Sequence, residues 1–416
     1  MNNKEYLRLP HGMFDRDSDW IESERLILEN HKNCGRRIGC ELEKYSPLGY
    51  KSSFSREIHT ADNKVYELTS KTGKELLLSC DSSPSVLRKY ISTNLSGPKR
   101  VSFIAPLFRY KNSHNRHFTQ IGYSFINENG LNNKKVDYNL VQLSKAMIDL
   151  FESMSIPTYI QINNYKALKE IIKKYTDIKD VGRLLYELQF GDIEKRTLLI
   201  DETFTDSKKK KELIDMFNMD VQVIEDINCF EKLDLPEEYY EFFDTYNAIK
   251  KVTGVDLAFN PSDLHSIETI DDIALRFKTK SGVSLGDGGN YSIYANRWNN
   301  KINSFYSVAT GVEVIERNKE VVLNHDYDKV AVYSIDASDD FILRSMDRLY
   351  EEYDTVSYNG EVRNISKLLK KIQKNYTHFV VLGSNEELKN ELEVKNLRSR
   401  DSVKIKLDQP RTRIRK

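Results

Sequence analysis

The sequence predicts an α+β fold: an antiparallel sheet flanked by helices, interrupted by a helical insertion and followed by a separate α/β domain. Three observations lead there. Short runs of period-two or continuous apolar character, punctuated by turns, fill residues 64–126 and precede a long amphipathic helix. Helical periodicity then dominates residues 163–253. After Asn324 strand-like and helix-like segments alternate, the pattern of a mainly parallel sheet.

Taken in order, Asp19 to His31 carries Trp20, Ile21, Leu26 and Ile27 at spacings that fit one helix face. Lys64–Thr69 and Glu75–Ser79 flank the turn Thr72-Gly73-Lys74 and predict a hairpin, and Val101–Tyr110 and Phe118–Ile126 predict two more strands. Asp137–Met154 spaces Leu140, Leu143, Met147, Leu150 and Phe151 as a buried helical stripe, and Thr158–Ile162 follows as a strand. Strand character returns from Asp256 through Lys278. Gly282, Gly286, Gly288 and Gly289 then break the chain before a further apolar stretch, Tyr306–Ile315.

In the last part the expected order is strand Lys329–Ile335, helix Asp340–Tyr353, strand Thr355–Tyr358, helix Ile365–Asn375 and strand His378–Leu382. These patterns divide the chain into a core domain of residues 1–162 and 254–324, an insertion of 163–253 and a C-terminal domain of 325–416 with a basic tail, Arg411, Arg413, Arg415 and Lys416. A chain of 416 residues exceeds what one hydrophobic core serves, so several domains are expected.

Apolar residues at 39% and charged residues at 30% give enough material for real cores and exclude a disordered chain. Lys plus Arg and Asp plus Glu are 63 each, so net charge argues for no nucleic-acid partner and any basic surface must be local. Cys34, Cys40, Cys80 and Cys229 have no metal-ligand spacing, which predicts reduced thiols and no zinc site. The first twenty residues lack the apolar core of a signal peptide and no run of ~18 apolar residues occurs, so a cytoplasmic protein without membrane contact is expected. The run Lys208–Lys211 reads as a solvated loop.

Several windows carry chemistry. Ala105-Pro-Leu-Phe-Arg-Tyr110 and Asn115-Arg-His-Phe-Thr-Gln-Ile-Gly122 place Arg109 on one strand and Gln120 on the next, with Arg116 near the loop. A guanidinium on a rigid strand holds a phosphate bidentately; a hairpin with an exposed arginine is the plainer alternative. Leu78-Ser-Cys-Asp-Ser-Ser83 follows the first hairpin and offers Asp81 and Ser83, where a carboxylate either pairs with an ammonium group or closes a turn. Gly286-Asp-Gly-Gly-Asn-Tyr291 and Ser307-Val-Ala-Thr-Gly-Val-Glu313 come later in the chain.

In this order the windows resemble the histidyl form of the class II aminoacyl-tRNA synthetases. The pair around Arg109 resembles that family's motif 2, Asp81 and Ser83 fall on its Arg-Pro-Glu-x-Thr segment, Gly286–Tyr291 on its Gly-Gly-Arg-Tyr-Asp loop, and Ser307–Glu313 on the start of motif 3. Val381-Leu-Gly-Ser-Asn-Glu386 and Val394-Lys-Asn-Leu-Arg-Ser399 look like its anticodon-binding domain, so the resemblance spans residues 8 to 408. It implies a class II synthetase-type core, Arg109 and Arg116 toward a nucleotide, and Asp81, Ser83, Gln120 and Tyr291 around an amino acid. It further implies tRNA at the C-terminal domain, a homodimer, and ATP with Mg2+ where ligase chemistry is kept.

The pattern also breaks. Val314 stands where motif 3 has its phosphate-gripping arginine, and Asn260-Pro-Ser-Asp-Leu-His265 stands where the family has Arg-Gly-Leu-Asp-Tyr-Tyr. Lys111 replaces a motif 2 glutamate, Ser124 replaces a second acidic pocket residue, and Gly35–Pro47 lacks a clear motif 1 proline. Each lost electrostatic contact costs about 10²–10³ in rate, so the expectation is a paralog without ligase activity that binds tRNA, a small ligand or both in a regulatory role. Two alternatives stay open: the regulatory subunit of ATP phosphoribosyltransferase, whose relatives often carry aspartate at the position of Asp81 but generally lack the C-terminal domain, and a diverged, active ATP-dependent ligase. Basic residues Lys395, Arg398, Arg400, Lys404 and Lys406 cluster near the end, among glutamates, and suit either a phosphate-binding edge or an ordinary charged rim.

Overall fold

The computed structural model describes residues 7–53, 65–93, 97–110, 115–127, 136–175, 181–190, 192–217, 222–223, 243–266, 269–321, 328–362, 372–373 and 375–408. Lys111, Cys229, most of the expected helix Ile365–Asn375 and the basic tail lie outside them. The chain forms two compact units, Met1–Val321 and Val322–Lys416.

In chain order the first unit contains α1 (Ser18–Arg37), β1 (Glu41–Lys44), β2 (Leu48–Tyr50), β3 (Glu67–Thr69), β4 (Glu75–Leu78), α2 (Ser83–Ser92), β5 (Lys99–Phe108) and β6 (His117–Ile126). Next come α3 (Tyr138–Ser153), β7 (Thr158–Asn164), α4 (Tyr165–Tyr175), α5 (Val181–Phe190), α6 (Ile193–Thr203), α7 (Ser207–Phe217), β8 (Gln222–Val223), α8 (Phe243–Thr253) and β9 (Leu257–Phe259). It ends with β10 (Ile273–Thr279), β11 (Ser284–Asn290), α9 (Ser292–Trp298), β12 (Phe305–Gly311) and α10 (Val312–Asn318).

The main sheet has the order β1-β5-β6-β12-β11-β10-β7-β9-β8, and β2-β4-β3 form a small antiparallel sheet. Most main-sheet pairs are antiparallel; β1–β5 and β7–β9 are parallel. Alternation of side chains gives the main sheet two faces. On one, Ile121, Tyr123 and Phe125 of β6 and Tyr306 and Val308 of β12 are buried, and α1, α3 and α10 pack there. On the other lie Gln120, Gly122 and Ser124 of β6 and Ser307 and Ala309 of β12, all but Gln120 with short side chains.

The helices begin where the sequence supplies caps. Asp17 accepts from the Trp20 amide at 2.9 Å and starts α1, whose buried stripe Ser23, Ile27, His31 and Cys34 faces the sheet. Asp137 accepts from the Asn139 amide at 3.0 Å and starts α3, which buries Leu140, Leu143, Met147, Leu150 and Phe151 as expected. Cys34, Cys40 and Cys80 form no disulfide among the described residues.

Three expectations are corrected, and the apolar stretch Tyr306–Ile315 resolves into two elements. The glycines of 286–289 do not break the chain; they run inside β11. A Cβ at Gly286 would lie 2.2 Å from the Ala309 carbonyl oxygen and one at Gly288 2.2 Å from that of Ser307, so only glycine lets β11 approach β12 this closely. Tyr306–Ile315 is a strand that turns into α10 at Gly311. Of the described residues in Asp256–Lys278, those of β9 and β10 are extended, and 260–266 and 269–272 between them are irregular. The lysine run Lys208–Lys211 opens α7 instead of forming a loop, with Lys210 3.5 Å from Asp201.

The second unit contains β13 (Lys329–Ile335), α11 (Asp339–Glu352), β14 (Thr355–Glu361), β15 (His378–Gly383), α12 (Ser384–Lys389), β16 (Glu391–Asn396) and β17 (Ser402–Lys406). Its sheet runs β14-β13-β15-β16-β17, parallel across β14, β13 and β15 and antiparallel beyond. Val330, Val332, Phe341, Leu349, Val380, Leu382 and Leu392 form its own core. Lys395, Arg398, Arg400, Lys404 and Lys406 are exposed, with Lys404 3.1 Å from Glu391.

Candidate amino-acid pocket

A cavity of about 150 Å3 opens over the small-residue face of the main sheet. Ser307 and Ala309 form part of its floor, flanked by Gln120 of β6 and Asp287 of β11. Asp287 is the register partner of Ala309, and Ala309 of Gly122, so these positions share one row across three strands. The Gln120 side-chain oxygen is buried with no hydrogen-bond partner among the described residues, leaving one acceptor in the wall unsatisfied.

Asp81 and Ser82 reach the cavity from the turn before α2, and Ser83 from the first position of that helix. The Asp81 carboxylate accepts from the Ser83 amide at 2.8 Å and stands 3.6 Å from the Arg109 guanidinium. Arg109 is fixed twice more, donating from Nε to the Cys80 carbonyl at 2.7 Å and lying over the Phe118 ring at 5.1 Å. A guanidinium held on these sides is pre-organised. Tyr291 closes the cavity with its ring almost fully buried, and burial, followed by Asp287 and Asp81, pushes its hydroxyl well above the usual phenol range. It remains a neutral donor at any physiological pH.

The motif 3 region is arranged for packing. The Glu313 carboxylate is buried, accepts from the Thr119 amide at 3.1 Å and pairs with Arg16 at 3.3 Å. Burial pushes its pKa up against those partners. Val314 is half-buried against the apolar core, so the position supplies a hydrocarbon side chain and no charge.

Asn260–His265 forms a second polar cluster beside the cavity. Asn260 turns onto its own loop, accepting from the Ser262 amide and hydroxyl at 3.1 and 2.7 Å. Asp263 takes Arg276 at 2.9 Å and the His265 ring at 3.1 Å, and Gln161 donates to its other oxygen. Burial alone would raise the Asp263 carboxyl, yet His265, Arg276 and Lys278 hold it below the usual carboxylate range. Lys278 donates to the Gln161 oxygen at 3.0 Å, and burial lowers its pKa. Leu264 is buried in the main core. Ser124, at the position of the missing acidic residue, is buried and hydrogen-bonded to Ser307 at 2.9 Å.

Of the residues singled out in the sequence, Asp81, Ser83, Arg109, Gln120 and Tyr291 line this one cavity. Arg116 is not among its lining: its guanidinium lies 4.1 Å over the Tyr110 ring, and its stem packs on Gly12. Sequence reasoning passed over Asp287, Ser266, Thr269 and Tyr294, which also line it. Asp287 was hidden because a glycine-rich run reads as a turn, where an aspartate is ordinary; in a strand it projects from a defined face. Ser266 and Thr269 lie in an irregular segment that gives no periodic signal.

An antiparallel sheet with a hairpin arginine over a polar cavity defines a class II synthetase-type fold. The profile of the histidyl-tRNA synthetase family matches residues 12–311, and the chain belongs to that family. Among curated relatives, the histidine–tRNA ligase of Metallosphaera sedula is 24% identical over 97% of this chain and 96% of its own. That of Campylobacter concisus is 23% identical over 86% of this chain and 87% of its own. Among solved structures, an ATP phosphoribosyltransferase regulatory subunit/histidyl-tRNA synthetase from Bacillus halodurans superposes with TM-score 0.75 at 13% identity, covering 92% of this chain and all of its own. Histidyl-tRNA synthetase from Nostoc sp. PCC 7120 gives 0.72 at 15% identity, covering 96% and 97%.

Proposed function

We propose that this family member has given up ligase chemistry and serves as a regulatory protein that binds a free amino acid in the cavity and tRNA through its C-terminal unit. The observation that carries the reading is Val314, packed against the apolar core at the position where the resemblance expects a phosphate-gripping arginine. Asn260, at the second expected arginine, is spent on its own turn. A bidentate arginine contact has no neutral substitute. The residues present therefore do not fit ATP in the pose the family implies, with or without Mg2+, and no catalytic step is assigned to it.

The amino-acid part of the reading rests on Asp81, able to pair with an α-ammonium group, and Arg109, able to pair with a carboxylate, on one small cavity. A volume of about 150 Å3 lies well below the ~300–1,000 Å3 of sites for larger ligands. A homodimer is part of the proposal. Tyr50 and Leu68, each more than two-fifths exposed, both neighbour Leu76 across β2, β4 and β3, and leave an apolar stripe of the kind a second copy covers.

A second reading, as the regulatory subunit of an ATP phosphoribosyltransferase, draws on the Bacillus halodurans structure of that description. Against it stands the C-terminal unit, which such subunits generally lack. The third, an active diverged ligase, draws on Arg109.

ATP–pyrophosphate exchange with each of the twenty amino acids separates them. The expected result is no exchange above background; exchange with any amino acid overturns the proposal and favours the active ligase.

A further inference from the structure

Asp287 has no assigned part in the reading above, and its setting is unusual. It stands on a strand between Gly286 and Gly288, whose neighbours offer it no side chain along its own edge, and its register partner on β12 is Ala309. The register partner on its other side, Arg276, has its guanidinium on Asp263 at 2.9 Å. Among the described residues Asp287 has no hydrogen-bond or ion-pair partner, although it lines the cavity. A partly buried carboxylate without a partner is costly, and a cationic ligand removes that cost.

The cavity contains two carboxylates, Asp81 and Asp287, and one cation, Arg109. An amino acid with a neutral side chain offers one ammonium and one carboxylate, which satisfies Asp81 and Arg109 and leaves Asp287 uncompensated. A basic amino acid adds one further cation and makes the count close. The unsatisfied Gln120 oxygen supplies an additional acceptor for the same kind of donor-rich ligand. The rest of the floor, Ser307 and Ala309, is too short to reach up and neutralise the acid.

We infer that Asp287 sets specificity in this pocket and that its ligand is a free amino acid with a cationic side chain, Asp287 accepting the side-chain cation while Asp81 and Arg109 hold the α-ammonium and carboxylate groups. The inference rests on the amino-acid reading proposed above. It is a statement of charge complementarity, in which a ligand lacking the cation is disfavoured because it buries Asp287 unpaired.

The test is isothermal titration of the full-length protein with L-lysine, L-ornithine, L-arginine, L-norleucine, L-methionine and L-glutamine. Lysine or one of its basic relatives is expected to bind at least about ten-fold tighter than norleucine, which matches lysine in length without the charge. In Asp287→Asn, checked for folding by its thermal transition, that ratio is expected to fall toward one. In Asp287→Lys the basic ligands are expected to be rejected. Binding of lysine, ornithine and arginine no tighter than norleucine to the native protein, or a ratio unchanged in Asp287→Asn, overturns the inference while leaving an amino-acid pocket in place. Failure of every amino acid to bind overturns the amino-acid reading itself, and this inference with it.

Discussion

His31 joins α1 to the strand that floors the pocket. Its ring is fully buried, stacked on Tyr123 at 4.9 Å, with Nε2 3.0 Å from the Gly122 carbonyl and 3.2 Å from the Ser102 hydroxyl. Burial drives its pKa down from 6.5 to about 4, only partly offset by the Gly122 carbonyl. The folded protein therefore holds His31 neutral in a range where the unfolded chain protonates it. That contribution is complete above pH 6.5 and is lost progressively as the pH falls toward 4, amounting to about 3 kcal/mol by linkage. Denaturant unfolding at pH 7 and pH 4.5 should show a smaller acid-induced loss in His31→Gln than in the native protein; equal losses would sink the assignment. A lone histidine amid helical charge gave no sign of this burial in the sequence. Arg109 and Asp81 were legible because each falls inside a window that resembles a family motif.

At the scale of elements, the sequence read well where one periodicity ran unbroken. α3 and β13 follow their expected ranges because a helical stripe and an apolar strand leave little choice. β11 was misread because its glycines signal turns locally, and the reason for them, contact with the β12 backbone, lies in the fold. The described residues between β9 and β10 were misread for the opposite cause: apolar residues such as Leu264 are buried there without being extended. The small sheet carries the element-scale prediction. If its Tyr50–Leu76–Leu68 stripe is the self-association surface, sedimentation of the native chain gives a dimer and Tyr50→Lys/Leu68→Lys gives a monomer. A monomeric native chain would remove the dimer from the proposal.

Over the whole molecule, six separated stretches of chain contribute to one cavity, from Asp81 to Ala309. No local pattern reports such convergence, which is why the resemblance brought Asp81, Arg109, Gln120 and Tyr291 together before any geometry did, and why Asp287 needed the register. The two units have separate cores, so the proposed tRNA interaction can be assigned to one of them. Lys395, Arg398 and Arg400 lie exposed near the end of the second unit. Expression of the full chain should co-purify tRNA in a salt-dependent manner, whereas a chain ending at Val321 should not; retention by the shortened chain would move the interaction to the first unit.

The short side chains over the sheet have one more consequence. Gly122, Ser124, Ser307 and Ala309 sit in strands whose backbones are fastened to their neighbours on both sides, so the frame holds its form independently of what projects above it. Recognition and architecture are thereby uncoupled. A side chain on this floor can therefore be exchanged for another without disturbing the backbone ladder beneath it.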